Sequence, residues 1–196
     1  MLHRIASVIK DSLTGLSFAD TVEGLARPTK LNTNNVEKVL PLVYDANPAT
    51  CEALGLSNKL VPNSSKKSII YFEVVSHPTI IAPHKYYNEY EAVLRLICWI
   101  NYDKLNENYY EPSLIINEIL KDMPTTITDT MVKGVNITFN SQAPKETLFA
   151  AYTYPEAESQ YMTYPLDAIA LDFDIQYRIA TNCTADTTSD PSCRYV

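Results

Sequence analysis

The feature that most constrains this chain is an alternation near its end. Ile169, Leu171, Phe173, Ile175, Tyr177 and Ile179 are interleaved with Ala170, Asp172, Asp174, Gln176 and Arg178. A period of two sends successive side chains to opposite faces of an extended strand, so this segment places one face in a core and the other toward solvent or a partner. In that reading Asp172 and Asp174 occupy the strand's polar face. The same pattern runs from Glu89 to Tyr102, where Ala92, Leu94, Leu96, Cys98 and Ile100 share one face and Glu91, Val93, Arg95, Ile97 and Trp99 the other. Two long strands of this kind need another layer to cover the apolar face they share.

Two segments are suited to supply it. Leu2, Ile5, Val8, Ile9, Leu13 and Leu16 recur at spacings of three and four, which predicts an N-terminal amphipathic helix ending near Gly15. Glu111-Pro112-Ser113 opens a second, over Leu114–Met123, with proline in its first turn and Pro124 stopping it. Ser68–Val75 is β-branched and aromatic and reads as a strand ending before His77-Pro78, and Val135, Ile137 and Phe139 alternate as a further short strand. The expected fold is therefore α+β, with a small, mostly antiparallel sheet packed against two amphipathic helices.

The remaining segments read as appendages of one domain spanning 1–180. Residues 20–66 carry Pro28, Pro41, Pro48 and Pro62 among short apolar stretches, which predicts extended segments and loops with one short helix near Ala49–Leu56. Residues 141–165 form a long Pro- and Tyr-rich excursion. Residues 181–196 have almost no apolar content to offset the entropy of ordering, so they read as a flexible tail. Whether Cys183 and Cys193 pair within it stays open at this point.

Composition removes several function classes. Only four glycines are present, which leaves little supply for glycine-built phosphate loops. A net charge of −7 opposes general binding to nucleic-acid phosphates. That charge is uneven: residues 1–67 hold eight Lys/Arg and six Asp/Glu, while residues 68–196 hold eight and seventeen. A polar subunit of this kind is suited to head-to-tail stacking. The N-terminal stretch reaches charged residues before an apolar signal segment can form, and no apolar run is long enough for a membrane helix, so no membrane partner is expected.

The sequence presents no recognisable catalytic, cofactor-binding or metal-binding set. His77 and His84 lie in a proline-bracketed loop without a third ligand at useful spacing. Asp172-Phe173-Asp174 has the form of a metal-holding DxD pair but sits mid-strand, and Glu89 with Glu91 lacks a placed partner carboxylate. A P-loop, a dinucleotide fingerprint, a nucleophile elbow and an HExxH pair are all absent from the sequence. The expectation is a non-enzyme with no cofactor. Tyr152, Tyr154, Tyr161 and Tyr164 in the excursion are the candidate interface, because tyrosine supplies large amphipathic contact area at small entropic cost.

The order of elements is then informative: helix, apolar strand, long alternating strand, proline-started helix, short strand, closing strand. It resembles the tail-terminator and tail-completion family of tailed phages over about residues 1–180, in pattern and not in identity. That resemblance implies a structural virion subunit, assembled in the host cytoplasm. It would form a homo-oligomeric ring at the head-to-tail connector, neck or tail terminus and contact neighbouring connector or tail proteins. The alternative is a small-ligand enzyme or carbohydrate-binding module that uses the Tyr-rich loop as a stacking platform.

Overall fold

A computed structural model of the chain describes residues 1–33, 36–44, 59–128, 134–153 and 162–180. The expected helix near Ala49–Leu56, Tyr154, Tyr161 and the 181–196 tail lie outside these residues. Among these residues two α-helices, α1 (Leu2–Leu13) and α2 (Pro112–Asp122), accompany seven strands: β1 (Thr21–Thr33), β2 (Val36–Val43), β3 (Ser68–Pro83), β4 (Tyr87–Asn101), β5 (Thr126–Ile127), β6 (Val135–Gln142) and β7 (Leu166–Ala180). Their order in the sheet is β2-β1-β3-β4-β7-β6-β5. All neighbours are antiparallel except β1 and β3, which run parallel.

This corrects the expected small, mostly antiparallel sheet against two helices. The sheet is a seven-stranded mixed one, and the two described helices both pack on one of its faces. The difference arises in residues 20–66, expected as extended segments and loops: two strands lie there. Prolines conceal them. Pro28 of β1 sits directly opposite Pro41 of β2. Two facing prolines fit an antiparallel ladder only at a non-hydrogen-bonded pair, where neither owes an N–H to the other strand.

On the helix face, the alternating residues behave as their period requires. Leu94, Leu96 and Cys98 of β4 and Ile169, Leu171 and Phe173 of β7 meet Ile70 and Phe72 of β3 in one core. The α1 stripe of Leu2, Ile5, Ala6, Ile9 and Leu13 seals that core from one side, and α2 adds Ile115 and Ile119. Each such buried aliphatic side chain contributes about 1.5–3 kcal/mol relative to exposure, so both helices are held by packing more than by propensity.

The opposite face carries a second core. Ile69, Tyr71, Ile97, Trp99, Ala168 and Ala170 point that way. Ala26, Leu31 and Leu40 of the β1–β2 hairpin, Leu60, and Leu148, Phe149 and Tyr152 of the segment after β6 pack over them. Thus β4 is apolar on both faces from Leu96 to Ile100, and β7 from Ala168 to Leu171.

The sheet is longer than its covering layers. β3 continues through His77-Pro78 to Pro83, with irregularities between Val74 and Ser76, Ser76 and Thr79, and Ile80 and Ala82 that accommodate the proline. β4 and β7 accompany it, pairing as far as Tyr87 with Ala180. The pairing of β1 with β3 stops at Phe72, and that of β6 with β7 reaches only Gln176. What remains is a three-stranded arm extending past the core.

Candidate interaction surface

The arm has an unusual outer edge. Val74–Pro83 contains no Asp, Glu, Lys or Arg. No described strand pairs with β3 on that side beyond Phe72. Val75, Ile80, Ile81 and Tyr86 are 49%, 54%, 45% and 61% exposed. An edge with open backbone donors and acceptors, β-branched side chains and no charge is a template for an added strand. Pro78 and the irregularities divide this edge, so an added strand would pair with the stretches between them. β4 and β7 are tied to each other by side chains: Tyr90 stacks on Tyr177 at 5.5 Å between ring centres, and Arg178 lies over Tyr87 at 5.1 Å and 3.4 Å from Glu89.

At the base of the arm is a cavity of about 300 Å³ lined by Leu2, Leu25, Tyr44, Val74, His77 and Tyr177, among others. His3 stacks on Tyr44 at 5.3 Å between ring centres, and Arg27 covers the same ring. His84 packs against Tyr87 at 4.3 Å at the tip of the arm, whereas His77, expected in a loop with it, stands within β3 and lines the cavity. Among the described residues, no group of three His, Cys, Asp or Glu side chains could hold a metal ion. No helix among them is long and apolar enough to cross a membrane.

The second polar feature lies on the face opposite the two described helices. Glu73, Arg95 and Asp172 are directly opposed across β3, β4 and β7, forming a row across the centre of the sheet. Arg95 donates from Nε and Nη2 to the two carboxylate oxygens of Asp172, and from Nη1 to Thr147 Oγ1 at 3.3 Å. The Tyr152 hydroxyl donates to Glu73. Asp172 is therefore buried and paired, which corrects its expected place on a polar face. Asp174, two residues on, accepts from Asn140 Nδ2 at 2.9 Å in a more open position. Burial pushes the Glu73 carboxyl above its ordinary range, although the Tyr152 hydrogen bond and the Arg95 charge both pull it down.

The candidate tyrosines divide. Tyr152 is only 4% exposed and serves the subunit's own packing, so it is unavailable either to dock a neighbour or to stack a ligand. Tyr164 is 80% exposed and lies beside Tyr102, with 6.4 Å between ring centres. The exposed apolar residues that the sequence alone did not single out are Val75, Ile80 and Ile81. Their signal was the Thr79-Ile80-Ile81-Ala82 run, β-branched and uncharged but lying between two prolines. Compared with known proteins, the chain matches no family model, no curated protein and no solved structure.

Proposed function

We propose that the protein is a structural subunit that assembles with copies of itself through the three-stranded arm, forming a ring of the kind found at phage necks and tail ends. In this reading it is a virion component assembled in the host cytoplasm, and neighbouring connector or tail proteins are its other partners. The observation that supports self-assembly is the outer edge of β3. Each copy carries a net charge of −7, so two copies repel over most of their surfaces. Val74–Pro83 offers an uncharged strip where they meet without that penalty, and it presents the apolar side chains and the open strand edge that make such a contact adhesive. The comparison with tail-completion subunits rests on the order of elements read from the sequence, into which β1, β2 and β5 insert.

Sedimentation velocity and negative-stain imaging test the reading. The wild-type protein is expected to sediment as a closed oligomer and to image as rings. Ile80→Asp with Ile81→Asp changes two exposed side chains, so it should keep the circular dichroism and melting temperature of the parent while sedimenting as a monomer. A wild-type chain that stays monomeric throughout the micromolar range overturns the proposal, as does a double variant that still forms rings.

A further inference from the structure

A ring needs two different patches on each copy, because a contact that uses the same patch on both partners closes at two. The outer edge of β3 is one patch, and the opposite side of the sheet carries a second. β5 pairs with β6 only at Val135 and Asn136, and the Ile137 N–H donates to the Thr125 carbonyl at 2.9 Å. From Thr138 to Gln142 no described strand pairs with β6 on that side. β6 contains no Asp, Glu, Lys or Arg, and Phe139 is an exposed apolar residue within it. The Phe139 N–H faces outward as the Ile137 N–H does, since β6 pairs regularly with β7 from Asn136 to Phe139.

The two open edges agree in direction and in level. β3 and β7 run the same way, each being antiparallel to β4, and β6 runs against both. Copies laid side by side in one orientation therefore bring β6 of one against β3 of the next as antiparallel neighbours. Across the sheet, Phe139 stands level with Phe173, Leu94 and Val74, so both open stretches include that level.

The cavity at the base of the arm supplies an anchor point for such a junction. Phe139 meets the Phe173 ring edge-on at 5.8 Å, and Phe173 belongs to the helix-side core. The cavity lies on that same face, since Val74 and Tyr177 in its lining pack against the same core. It is also lined by Leu25 and His77, past the last β1–β3 pair of Leu25 with Phe72, where a strand added to β3 would run. Its volume of about 300 Å³ is roughly twice the void that admits a benzene ring. The lining from Leu2 to Tyr44 belongs to the part of the chain richer in Lys and Arg, and β6 to the acidic part, so charge favours this approach over others.

We infer that Phe139 of each copy inserts into the cavity at the base of the next copy's arm, with Thr138–Gln142 added as an antiparallel strand to the outer edge of β3. This rests on the reading of self-assembly through the arm and names the surface that the arm meets.

Sedimentation velocity of Phe139→Asp is expected to show monomer at concentrations where the wild type is assembled, with circular dichroism close to the parent's. Phe139→Leu keeps an apolar anchor and should remain assembled. Phe139→Asp and the Ile80→Asp, Ile81→Asp double variant break opposite halves of the junction, so mixing the two should give a one-to-one complex and nothing larger. Hydrogen exchange on the wild type needs no variant: amides in 138–142 should slow severalfold between dilute monomer and assembly. Assembly that persists in Phe139→Asp while it is lost in the Ile80→Asp, Ile81→Asp variant overturns this inference alone and leaves the arm contact standing, as a twofold contact of arm with arm would. A mixture that stays monomeric, or unchanged exchange in 138–142 on assembly, also overturns it. A wild type that is monomeric throughout overturns the self-assembly reading together with this inference.

Discussion

Arg95 and Asp172 lie directly opposite each other on β4 and β7, and the guanidinium grips the carboxylate through two bonds, Nε to Oδ1 at 2.7 Å and Nη2 to Oδ2 at 3.0 Å. Both side chains are mostly buried, at 16% and 13% exposure. Such a pair adds little net stability over an apolar replacement, but removing one charge strands the other. Asp172→Asn should cost about 2–3 kcal/mol, somewhat below the range for a fully buried pair because some solvent reaches this one. Asp174→Asn, in the open position beside Asn140, should stay within about 0.5 kcal/mol. Denaturant titration distinguishes them: the first midpoint falls at unchanged slope, and the second hardly moves. Equal effects would mean that burial does not separate the two carboxylates.

How much of this arrangement could be read from the chain depends on what each residue's neighbours hide. The alternations on β4 and β7 were legible because Leu94, Leu96, Leu171 and Phe173 all face one core, and the α1 stripe from Leu2 to Leu13 was legible for the same reason. The pairing of Asp172 with Arg95 was not, because a period of two says which face a residue takes but not what covers that face. Its cover is the segment after β6, which lacks periodicity and carries Leu148, Phe149 and Tyr152 at irregular spacing. β1 and β2 were hidden by Pro28 and Pro41, each of which argues locally against a strand and is tolerated because its nitrogen owes no hydrogen bond to the facing strand. The arm was missed for a related reason: Pro78 reads as a stop unless the strand can bulge around it.

Glycine positions give a stability test that does not depend on assembly. Gly134, just before β6, has φ +66° and open space where a Cβ would stand. Gly134→Ala meets no clash but is forced into a left-handed conformation, so it should lower stability by about 1 kcal/mol. Gly15, after α1, also has open space and lacks a positive φ. Gly15→Ala should therefore be neutral or stabilise by about 0.4–1 kcal/mol through the unfolded chain. Paired thermal melts of the two variants should shift in opposite directions, or the second not at all. A loss of stability in Gly15→Ala equal to that in Gly134→Ala would contradict the backbone argument.

Cys98 supplies a chemical probe of opening. It is fully buried on the helix face of β4, where burial foremost, and then the nearby charge of Asp167, push its thiol far above the ordinary range. Reaction requires the thiolate, so a folded subunit should protect it almost completely. In a variant with Cys51, Cys183 and Cys193 changed to Ser, labelling of Cys98 by a disulfide reagent at mildly alkaline pH should proceed only as fast as the subunit unfolds. Rapid labelling of the native variant, with its circular dichroism intact, would show that this face opens locally.

Glu23 ties α1 and the chain after β2 to β1, and it sets an acid limit on stability. Lys10 Nζ lies 3.2 Å from one carboxylate oxygen, and Lys59 Nζ donates to the other. Burial alone would raise this carboxyl, but the hydrogen bonds from Lys59 and Lys10 and their charges outweigh it and hold it below the ordinary glutamate value. A carboxyl depressed in the folded state contributes stability that is present above its unfolded value, about 4.3, and is lost as pH falls through the folded value. The wild type should therefore lose melting temperature on acidification below about pH 4.3, and Glu23→Gln should lose less over the same interval because it has no such proton to bind. At neutral pH the variant should start lower, since Lys10 and Lys59 no longer meet a charge. Melting curves taken across the acid range measure both features, and parallel acid limbs for the two proteins would remove Glu23 from the titration that governs acid stability.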